Sequence, residues 1–289
     1  MRVCSYLENG ERRLGLLKSD AVVPVAALDA AMPNELSDIL LREGGLDALK
    51  ALDAMANASD GMSLAALTLD LPVRGSGKIF CLGLNYAAHA AEGGHAKPEY
   101  PSFFMRGETS FTAPGQPIVR PRLSEQLDYE AEMTLVIGKK ARHVSSENAL
   151  DYIAGYTCAN EGSVREYQRK TSQWTIGKNF DLSGSMGPFF VSADEVPPGG
   201  KGLKIECRLN GEVMQSANTD SMLCDVPMAI ELLSAALTLE PGDLILTGTP
   251  EGVGHARTPQ VWMKPGDTVE VEIEGIGLLR NPIVAEDYS

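Results

Sequence analysis

The chain has 289 residues, of which 44% are hydrophobic, enough for the core of one large domain or of a large and a small one. Its formal charge of −14 at pH 7 argues against nucleic acid or an anionic membrane as a partner, since both attract basic patches. A small anionic molecule stays compatible with this charge, because a bound metal ion and a few local arginines or lysines can reverse the field inside a cleft.

The five cysteines are odd in number and have no CxxC or CxH spacing. This pattern predicts free thiols in a reducing cytosol rather than a disulfide framework or a zinc site. The first residues contain no apolar run long enough for a signal peptide, and no stretch approaches about 20 apolar residues. We therefore expect a cytoplasmic protein without a membrane span.

Residues 1–74 predict a small N-terminal α/β domain, or alternatively a lid. It begins with short strand patterns, two of which meet at the hairpin signal Asn9-Gly10. Helical spacing of leucines follows over residues 35–57. This segment holds no cluster of catalytic residue types and ends in a linker that contains glycine.

Residues 75–289 predict a second, strand-dominated domain, in which short apolar runs alternate with turns at irregular spacing. A hairpin is expected over Asn210-Gly211. One helix is predicted over residues 225–237, where Asp225 suits the N-cap and Pro227 the first turn. The fold class predicted for the whole chain is α+β and β-rich.

Three glutamates lie where apolar strands are expected to surface. We predict one strand over residues 127–133 (LDYEAEM), so that Glu130 and Glu132 share a face. By themselves these two could be solvated charges at a strand end. Glu161 follows another apolar segment, and three converging carboxylates suit a hard divalent cation such as Mg²⁺ or Mn²⁺, with Ca²⁺ as an alternative.

His89 and Glu92 are three residues apart in NYAAHAAEGG and would share a face of a helical turn. A carboxylate beside a histidine raises its basicity and fixes its tautomer, as a general base requires. The alternative is a surface pair on a short alanine-rich helix. Gly93-Gly94 predicts a mobile lid after the pair. The other histidines have no comparable partner in the sequence and are expected to be surface or structural residues, namely His95, His143 and His255.

Lys178 and Arg106 lie in apolar stretches, where a cation is costly unless it meets an anion. Arg165 and Gln168 lie in a polar segment, and Arg165 could equally be a solvated helix charge.

The glycine-rich loop, residues 247–254 (TGTPEGVG), lacks the ending of a phosphate-binding Walker motif, and no helix is predicted after it. We interpret it as a tight loop whose N–H groups and Thr249 hydroxyl hold a carboxylate or enolate oxygen of a ligand.

The chain resembles the fumarylacetoacetate hydrolase family over residues 78–284. The resemblance rests on the ordered segments GLNYAAHAAE, LDYEAEMTLVIG, GYTCANEGSVREYQ, WTIGKNF, LNGEVMQ, LEPGDLILTGTPEGVG and MKPGDTVEVEIEGIG. It implies that Glu130, Glu132 and Glu161 bind the metal and that His89, Glu92 and Lys178 are catalytic. It also implies substrate contacts for Gln168 and Thr249, and we add Arg106 to these.

The chain departs from the family pattern at two positions. Glu161 stands where the family usually has Asp, so this carboxylate is one methylene longer. Arg106 stands where many relatives have Lys, which points to a different contact with a substrate carboxylate.

The resemblance implies a mixed β-sandwich roll with a small N-terminal domain, assembled as a homodimer. It implies hydrolysis of a carbon–carbon bond in a 2,4-dioxo acid, such as an acylpyruvate or a diketo sugar acid, releasing pyruvate or a similar 2-oxo acid. The alternatives are a 2-oxo acid decarboxylase or a 2-hydroxydienoate isomerase of the same family. A non-catalytic, metal-dependent protein that binds small molecules is the alternative from another class. Specificity is expected to lie in residues 91–100, near Arg106 and in the N-terminal domain.

Overall fold

The computed structural model describes residues 1–94 and 99–287. The strands are β1 (Arg2–Glu8), β2 (Glu11–Lys18), β3 (Ala21–Pro24), β4 (Met62–Ser63), β5 (Thr68–Asp70), β6 (Ile79–Gly83), β7 (Ser102–Met105), β8 (Phe111–Thr112), β9 (Ile118–Arg120), β10 (Leu127–Asp128), β11 (Ala131–Ile137), β12 (Ile153–Asn160), β13 (Ser163–Val164), β14 (Gly184–Ser192), β15 (Lys204–Leu209), β16 (Glu212–Asn218), β17 (Leu244–Leu246), β18 (Thr268–Ile273) and β19 (Gly277–Ala285). The α-helices are α1 (Val25–Leu28), α2 (Leu36–Leu41), α3 (Gly45–Met55), α4 (Ala87–Glu92), α5 (Arg165–Gln168), α6 (Thr175–Lys178) and α7 (Val226–Ala236).

Two sheets form the body of the molecule. The large sheet has 12 strands, ordered β4-β3-β2-β1-β14-β12-β11-β17-β6-β7, with β5 paired to β1 and β8 to β14. A five-stranded sheet, ordered β16-β15-β18-β19-β9, packs against β11, β12 and β14. Parallel and antiparallel pairs occur in both sheets. The predicted β-rich α+β class is confirmed.

Both faces of the central strand β11 are buried. Met133 and Leu135 point into the core shared with the five-stranded sheet, whereas Val136 belongs to a second core on the opposite face. Helices α2 and α3 cover that second face, to which they contribute Ile39 and Leu49. Burial on both faces explains why β11 after Glu132 is apolar except for Thr134, which is also buried.

Turns and caps that depend on neighbouring residues form as predicted. β1 and β2 pair around Asn9 and Gly10, whose φ angles of 52° and 81° suit a tight hairpin turn. Asn210 and Gly211 join β15 to β16 in the same way, with φ angles of 53° and 83°. The side chain of Asp225 accepts a hydrogen bond from Met228 N and so caps α7.

The N-terminal residues contribute to the same large sheet as the remainder of the chain. β1 pairs antiparallel with β14, in register Arg2 to Val191. The division of the chain at residue 74 stays a prediction.

The prediction of one continuous strand over residues 127–133 is wrong, because the structure has two strands there. β10 ends at Asp128 and β11 begins at Ala131, so the chain leaves the sheet between them. The reason is tertiary, because β10 pairs with β13 in a separate ribbon while β11 pairs with β12. The five cysteines are unpaired, as predicted, and all five are also buried. Within the described residues, no helix combines the length and apolar character that a membrane crossing requires.

Candidate active site around an acidic cluster

Four strands of the large sheet, β6, β11, β12 and β17, each have one of their two ends at the same edge. The start of β11 faces the end of β12, because the two strands are antiparallel and Ala131 lies opposite Asn160. β17 runs antiparallel to β11 and parallel to β6, so its end and that of β6 reach the same edge. This topology brings together the residues next to Ala131, the residue after Asn160, the glycine-rich loop and helix α4.

Glu130, Glu132 and Glu161 meet at this edge, and we refer to them as the acidic cluster. One carboxylate oxygen of each lies within 4.8 Å of those of the other two. Each residue is at most 3% exposed. The backbone supports the arrangement, since Glu161 N donates to Glu130 O at 2.8 Å and Glu130 N donates to Asn160 Oδ1 at 2.9 Å. The three predicted metal ligands are therefore brought together.

Two buried cations neutralise part of the cluster. Lys178 Nζ lies 2.7 Å from Glu130 Oε2 and 2.9 Å from Glu161 Oε2, and Arg165 Nη2 lies 2.6 Å from Glu130 Oε1. Burial alone would raise the pKa of Glu130, but Arg165 and Lys178 hold that pKa below its usual range. Glu132 has no ion-pair partner among the described residues. Burial, reinforced by the charges of Glu161 and Glu130, raises its pKa well above the usual value.

This donor set fits a hard divalent cation. It offers carboxylate oxygens only, the ligands that Mg²⁺ and Mn²⁺ prefer. A bound cation would also compensate the charge of Glu132, which the neighbouring cations leave unpaired. The acidic cluster can therefore hold a divalent metal ion.

His89 and Glu92 form the pair that the sequence predicts. His89 Nδ1 lies 2.8 Å from Glu92 Oε1 on helix α4, and His89 is only 7% exposed. The other oxygen of Glu92 accepts a hydrogen bond from Gly252 N at 2.9 Å. Because Glu92 occupies Nδ1, the free ring nitrogen of His89 is Nε2. The pair is thus held from two sides, and its catalytic role stays a prediction.

Three N–H groups of the glycine-rich loop bind acidic side chains of the protein itself, and the prediction that the loop holds a ligand stays a prediction. Gly248 N donates to Glu132 Oε2 at 2.8 Å, Gly252 N to Glu92 as described, and Gly254 N to Asp128 Oδ1 at 2.7 Å. Thr249 remains available to a ligand: its Oγ1 accepts from Gln215 Nε2 at 2.8 Å, which leaves its own hydrogen to donate. One loop therefore positions carboxylates from three other segments.

A cavity of about 510 Å³ opens over the acidic cluster. Seven of the nine predicted site residues line it, namely His89, Glu130, Glu132, Glu161, Gln168, Lys178 and Thr249. Trp174 and Phe104 form an apolar wall, with ring centroids 5.4 Å apart in an edge-to-face arrangement. The cavity combines a polar floor with an apolar side, as pockets for small organic molecules commonly do.

Arg106 does not line the cavity, so the predicted substrate contact is not supported by this geometry. Its side chain is fully buried behind Glu161 and donates to Glu161 Oε1 at 3.3 Å and Gly162 O at 3.0 Å. It also donates to Ser110 Oγ at 3.0 Å and Ser183 Oγ at 3.2 Å. A buried guanidinium needs this many acceptors, and it meets them within the protein. Arg106 therefore orients the longer carboxylate of Glu161.

Sequence reasoning missed a second charged network at the cavity. Asp128 is fully buried and accepts from Arg165 Nε at 2.8 Å and from His255 N at 3.0 Å. His255 Nδ1 lies 3.4 Å from the same carboxylate, and His255 lines the cavity. The sequence did not reveal this acidic neighbour of His255, whose expected surface or structural role stays a prediction. The available signal was Asp128 itself, a third acid in LDYEAE.

The predicted lid after Gly93-Gly94 lies partly outside the described residues. Residues 91–100, expected to set specificity, include residues 95–98, which lie outside the described residues together with His95. Gly93 lies at the edge of the cavity.

A family model for the C-terminal domain of fumarylacetoacetate hydrolase matches residues 78–284, most of the chain. The chain belongs to the fumarylacetoacetate hydrolase family. Among curated proteins, oxaloacetate tautomerase Fahd2a, mitochondrial, of Rattus norvegicus is 39% identical over 265 residues, which cover 91% of this chain and 84% of that protein.

Solved structures of the family have the same fold. The fumarylacetoacetate hydrolase of Exiguobacterium antarcticum superposes with a TM-score of 0.85 at 32% identity, covering 99% of this chain and 100% of that one. The maleylpyruvate hydrolase of Sphingobium sp. SYK-6, solved with manganese(II) and pyruvate, superposes with a TM-score of 0.81 at 28% identity and the same coverage. Members of this family are enzymes that act on small organic acids.

Proposed function

We propose that this family member catalyses keto–enol tautomerisation of a 2-oxo dicarboxylic acid of the oxaloacetate type, with Mg²⁺ or Mn²⁺ at the acidic cluster. The observation that carries the proposal is the position of the His89–Glu92 pair, which flanks the same cavity as the cluster. This arrangement supports a cavity in which a proton-transfer group would face a 2-oxo acid chelated by a cation.

Tautomerisation moves one proton between the enol oxygen and carbon 3 of the substrate. A divalent cation held by the acidic cluster would supply a Lewis acid at the 2-oxo oxygen, where negative charge develops. His89 exchanges the proton at carbon 3 through Nε2, because Glu92 occupies Nδ1 and fixes the tautomer.

Two further side chains are suited to bind the acid. Lys178 keeps its positive charge between Glu130 and Glu161, and burial does not remove that charge because the two carboxylates raise the pKa of Lys178. It would stabilise negative charge on the bound acid. Thr249 donates its hydroxyl hydrogen to a substrate oxygen, with Gln215 holding the hydroxyl in place.

A second candidate is hydrolysis of a carbon–carbon bond in a 2,4-dioxo acid, the reaction expected from the sequence. The same pair favours it, since His89 could take a proton from water instead of from carbon 3. What supports tautomerisation over hydrolysis is the likeness over most of the chain to a protein named as an oxaloacetate tautomerase, at 39% identity against 28% for the maleylpyruvate hydrolase.

The test offers the purified protein two substrates, enolic oxaloacetate and an acylpyruvate, with Mg²⁺, Mn²⁺, Ca²⁺ or a chelator. Tautomerisation predicts faster loss of the enol absorbance of oxaloacetate without pyruvate release or carbon dioxide. Pyruvate release from the acylpyruvate would instead establish hydrolysis, and carbon dioxide from oxaloacetate would establish decarboxylation. Binding without turnover of either substrate would favour a non-catalytic binding protein.

Metal dependence is tested separately by calorimetry with Mn²⁺ alone. Glu132→Gln keeps the side-chain volume but removes one carboxylate, and we expect Mn²⁺ affinity to fall at least about tenfold. The control is Glu212→Gln on the exposed end of strand β16, which should leave the affinity unchanged. Equal affinities for the two variants would contradict a metal site at the acidic cluster.

A cytoplasmic location and a homodimer remain part of this proposal.

A further inference from the structure

The cations that face the acidic cluster are already paired within the protein. Arg165 is bound by Asp128 and Glu130, and Lys178 is bound by Glu130 and Glu161. A divalent cation at the cluster would add the charge that one chelating carboxylate requires. A second carboxylate on the same ligand would bring a negative charge that none of these groups is free to neutralise.

Arg169 is a cation of the cavity wall that differs from these two. It lines the cavity and is exposed, and its side chain makes no ion pair or hydrogen bond with any described residue. It follows helix α5 directly, and its backbone N donates to Arg165 O at 3.2 Å. Residues four apart on a helical turn share a face, so Arg169 lies on the cavity side next to Arg165.

We infer that Arg169 is the specificity residue that binds the distal carboxylate of a dicarboxylic substrate. This inference rests on the proposed function, because it names the substrate class of the same site. An arginine suits the task, since its planar guanidinium binds a carboxylate through two parallel hydrogen bonds. Its exposed position at the rim fits a group recognised away from the reacting carbons. Gln168, the adjacent residue, accepts from Arg165 Nη1 at 3.0 Å and so gives that arginine one more partner within the protein.

Lys170 provides a matched control. It is the next residue and also an exposed cation, but its Nζ lies 3.5 Å from the ring centroid of Tyr167 and it does not line the cavity. Arg169→Gln and Lys170→Gln therefore remove the same charge from neighbouring positions, and only the first position faces the cavity.

The experiment compares oxaloacetate with its 4-amide, in which a neutral carboxamide of similar size replaces the distal carboxylate. In the presence of Mn²⁺, we expect Arg169→Gln to raise KM for oxaloacetate about tenfold, the loss of one charge-assisted contact, with kcat changed less than about threefold. For the 4-amide, wild type and Arg169→Gln should agree within about twofold, and Lys170→Gln should behave as wild type with both. Equal losses on both substrates, or no loss on either, would overturn the inference.

A binding experiment with two compounds that cannot react tests the Arg169 subsite independently of the proposed reaction. 3,3-Difluoro-oxaloacetate keeps both carboxylates but has no hydrogen at carbon 3 and cannot enolise. Oxalate offers the chelating unit without a distal carboxylate. In calorimetry, Arg169→Gln should weaken the difluoro compound about tenfold and leave oxalate unchanged. That result in a protein without tautomerase activity would retain the subsite and reject the proposed reaction, whereas equal affinities in wild type and variant would reject the subsite.

Discussion

Two contacts hold the His89–Glu92 pair in place. His89 Nδ1 is held by Glu92 Oε1, and Gly252 N holds the other oxygen of Glu92, so the ring cannot turn without losing a partner that is itself fixed. For the base proposed above, a ring fixed in this way would lower the entropic cost of reaching the transition state.

We expect His89→Ala to lower kcat by about 100- to 10,000-fold, the usual contribution of a positioned acid–base group. The affinity for Mn²⁺ should stay within about twofold, because His89 is not a member of the acidic cluster. The control is His143→Asn, an exposed histidine with a φ of 53°, which asparagine tolerates. Turnover near the wild-type rate in His89→Ala would remove His89 from the mechanism.

Arg106 shows how a single residue supports the cluster without touching the cavity. Its guanidinium satisfies one oxygen of Glu161, while Lys178 satisfies the other. The longer carboxylate of Glu161 is thereby held at both oxygens, so its extra methylene does not leave it free to rotate.

Arg106→Lys should weaken Mn²⁺ binding about tenfold and lower the free energy of unfolding by about 2–3 kcal/mol. A lysine keeps the charge but cannot reach Glu161, Gly162 and Ser183 together, since it lacks the forked guanidinium. Calorimetry and urea unfolding provide the two measurements. Arg280→Lys, on a side chain that is 68% exposed, is the control and should change neither. Unchanged metal affinity in Arg106→Lys would show that Glu161 needs no support from behind.

At the scale of elements, the glycine-rich loop organises the site. Its N–H groups hold acids from β10, β11 and α4, so a shift of the loop would move the acidic cluster and the histidine pair together. Gly248 is the position where glycine is required. Its φ is +88°, and an added Cβ would lie 2.7 Å from Asn85 Cβ and 3.0 Å from Leu82 O.

We expect Gly248→Ala to displace the N–H from Glu132, to weaken Mn²⁺ binding about tenfold and to cost about 2 kcal/mol of stability. Gly266→Ala separates backbone strain from the close contact. Gly266 has a similar φ of +95°, yet an added Cβ meets nothing within 4 Å. The control should lose stability but retain metal affinity. If both variants bind Mn²⁺ equally, the loop does not position Glu132.

At the scale of the molecule, the N-terminal residues and the strands that carry the site share one core. Leu14, Leu16 and Ile39 pack in the same cluster as Phe190 and Leu244. β1 is hydrogen-bonded to β14, the neighbour of β12 in the sheet. Removing residues 1–74 would expose that core and leave an unpaired sheet edge.

We therefore expect a fragment of residues 75–289 to be insoluble or to lack fixed tertiary packing, and the full chain to unfold in one transition. The measurements are near-ultraviolet circular dichroism of the fragment and urea unfolding of the full chain monitored by two probes. A soluble fragment that unfolds cooperatively and binds Mn²⁺ would contradict this and would support two separate domains divided at residue 74.

Short-range signals in the amino-acid sequence determined much of this protein by themselves. Asn9-Gly10 and Asn210-Gly211 specify hairpins because the φ angles of a tight turn depend on the turn residues themselves. Asp225 specifies the start of α7 because a cap acts within three residues. The residue types in LDYEAEM and NYAAHAAE likewise indicated carboxylates for a metal and a histidine for proton transfer.

The tertiary structure decided which of these groups meet. Gly252 N binds Glu92 across 160 positions in the chain, Gly254 N binds Asp128 across 126, and Arg106 reaches Glu161 across 55. No local pattern encodes such pairings, because they follow from strand order and register and from the demand that each buried charge find a partner. That demand makes three N–H groups of the glycine-rich loop a support for the protein's own acids, a role that its sequence did not indicate.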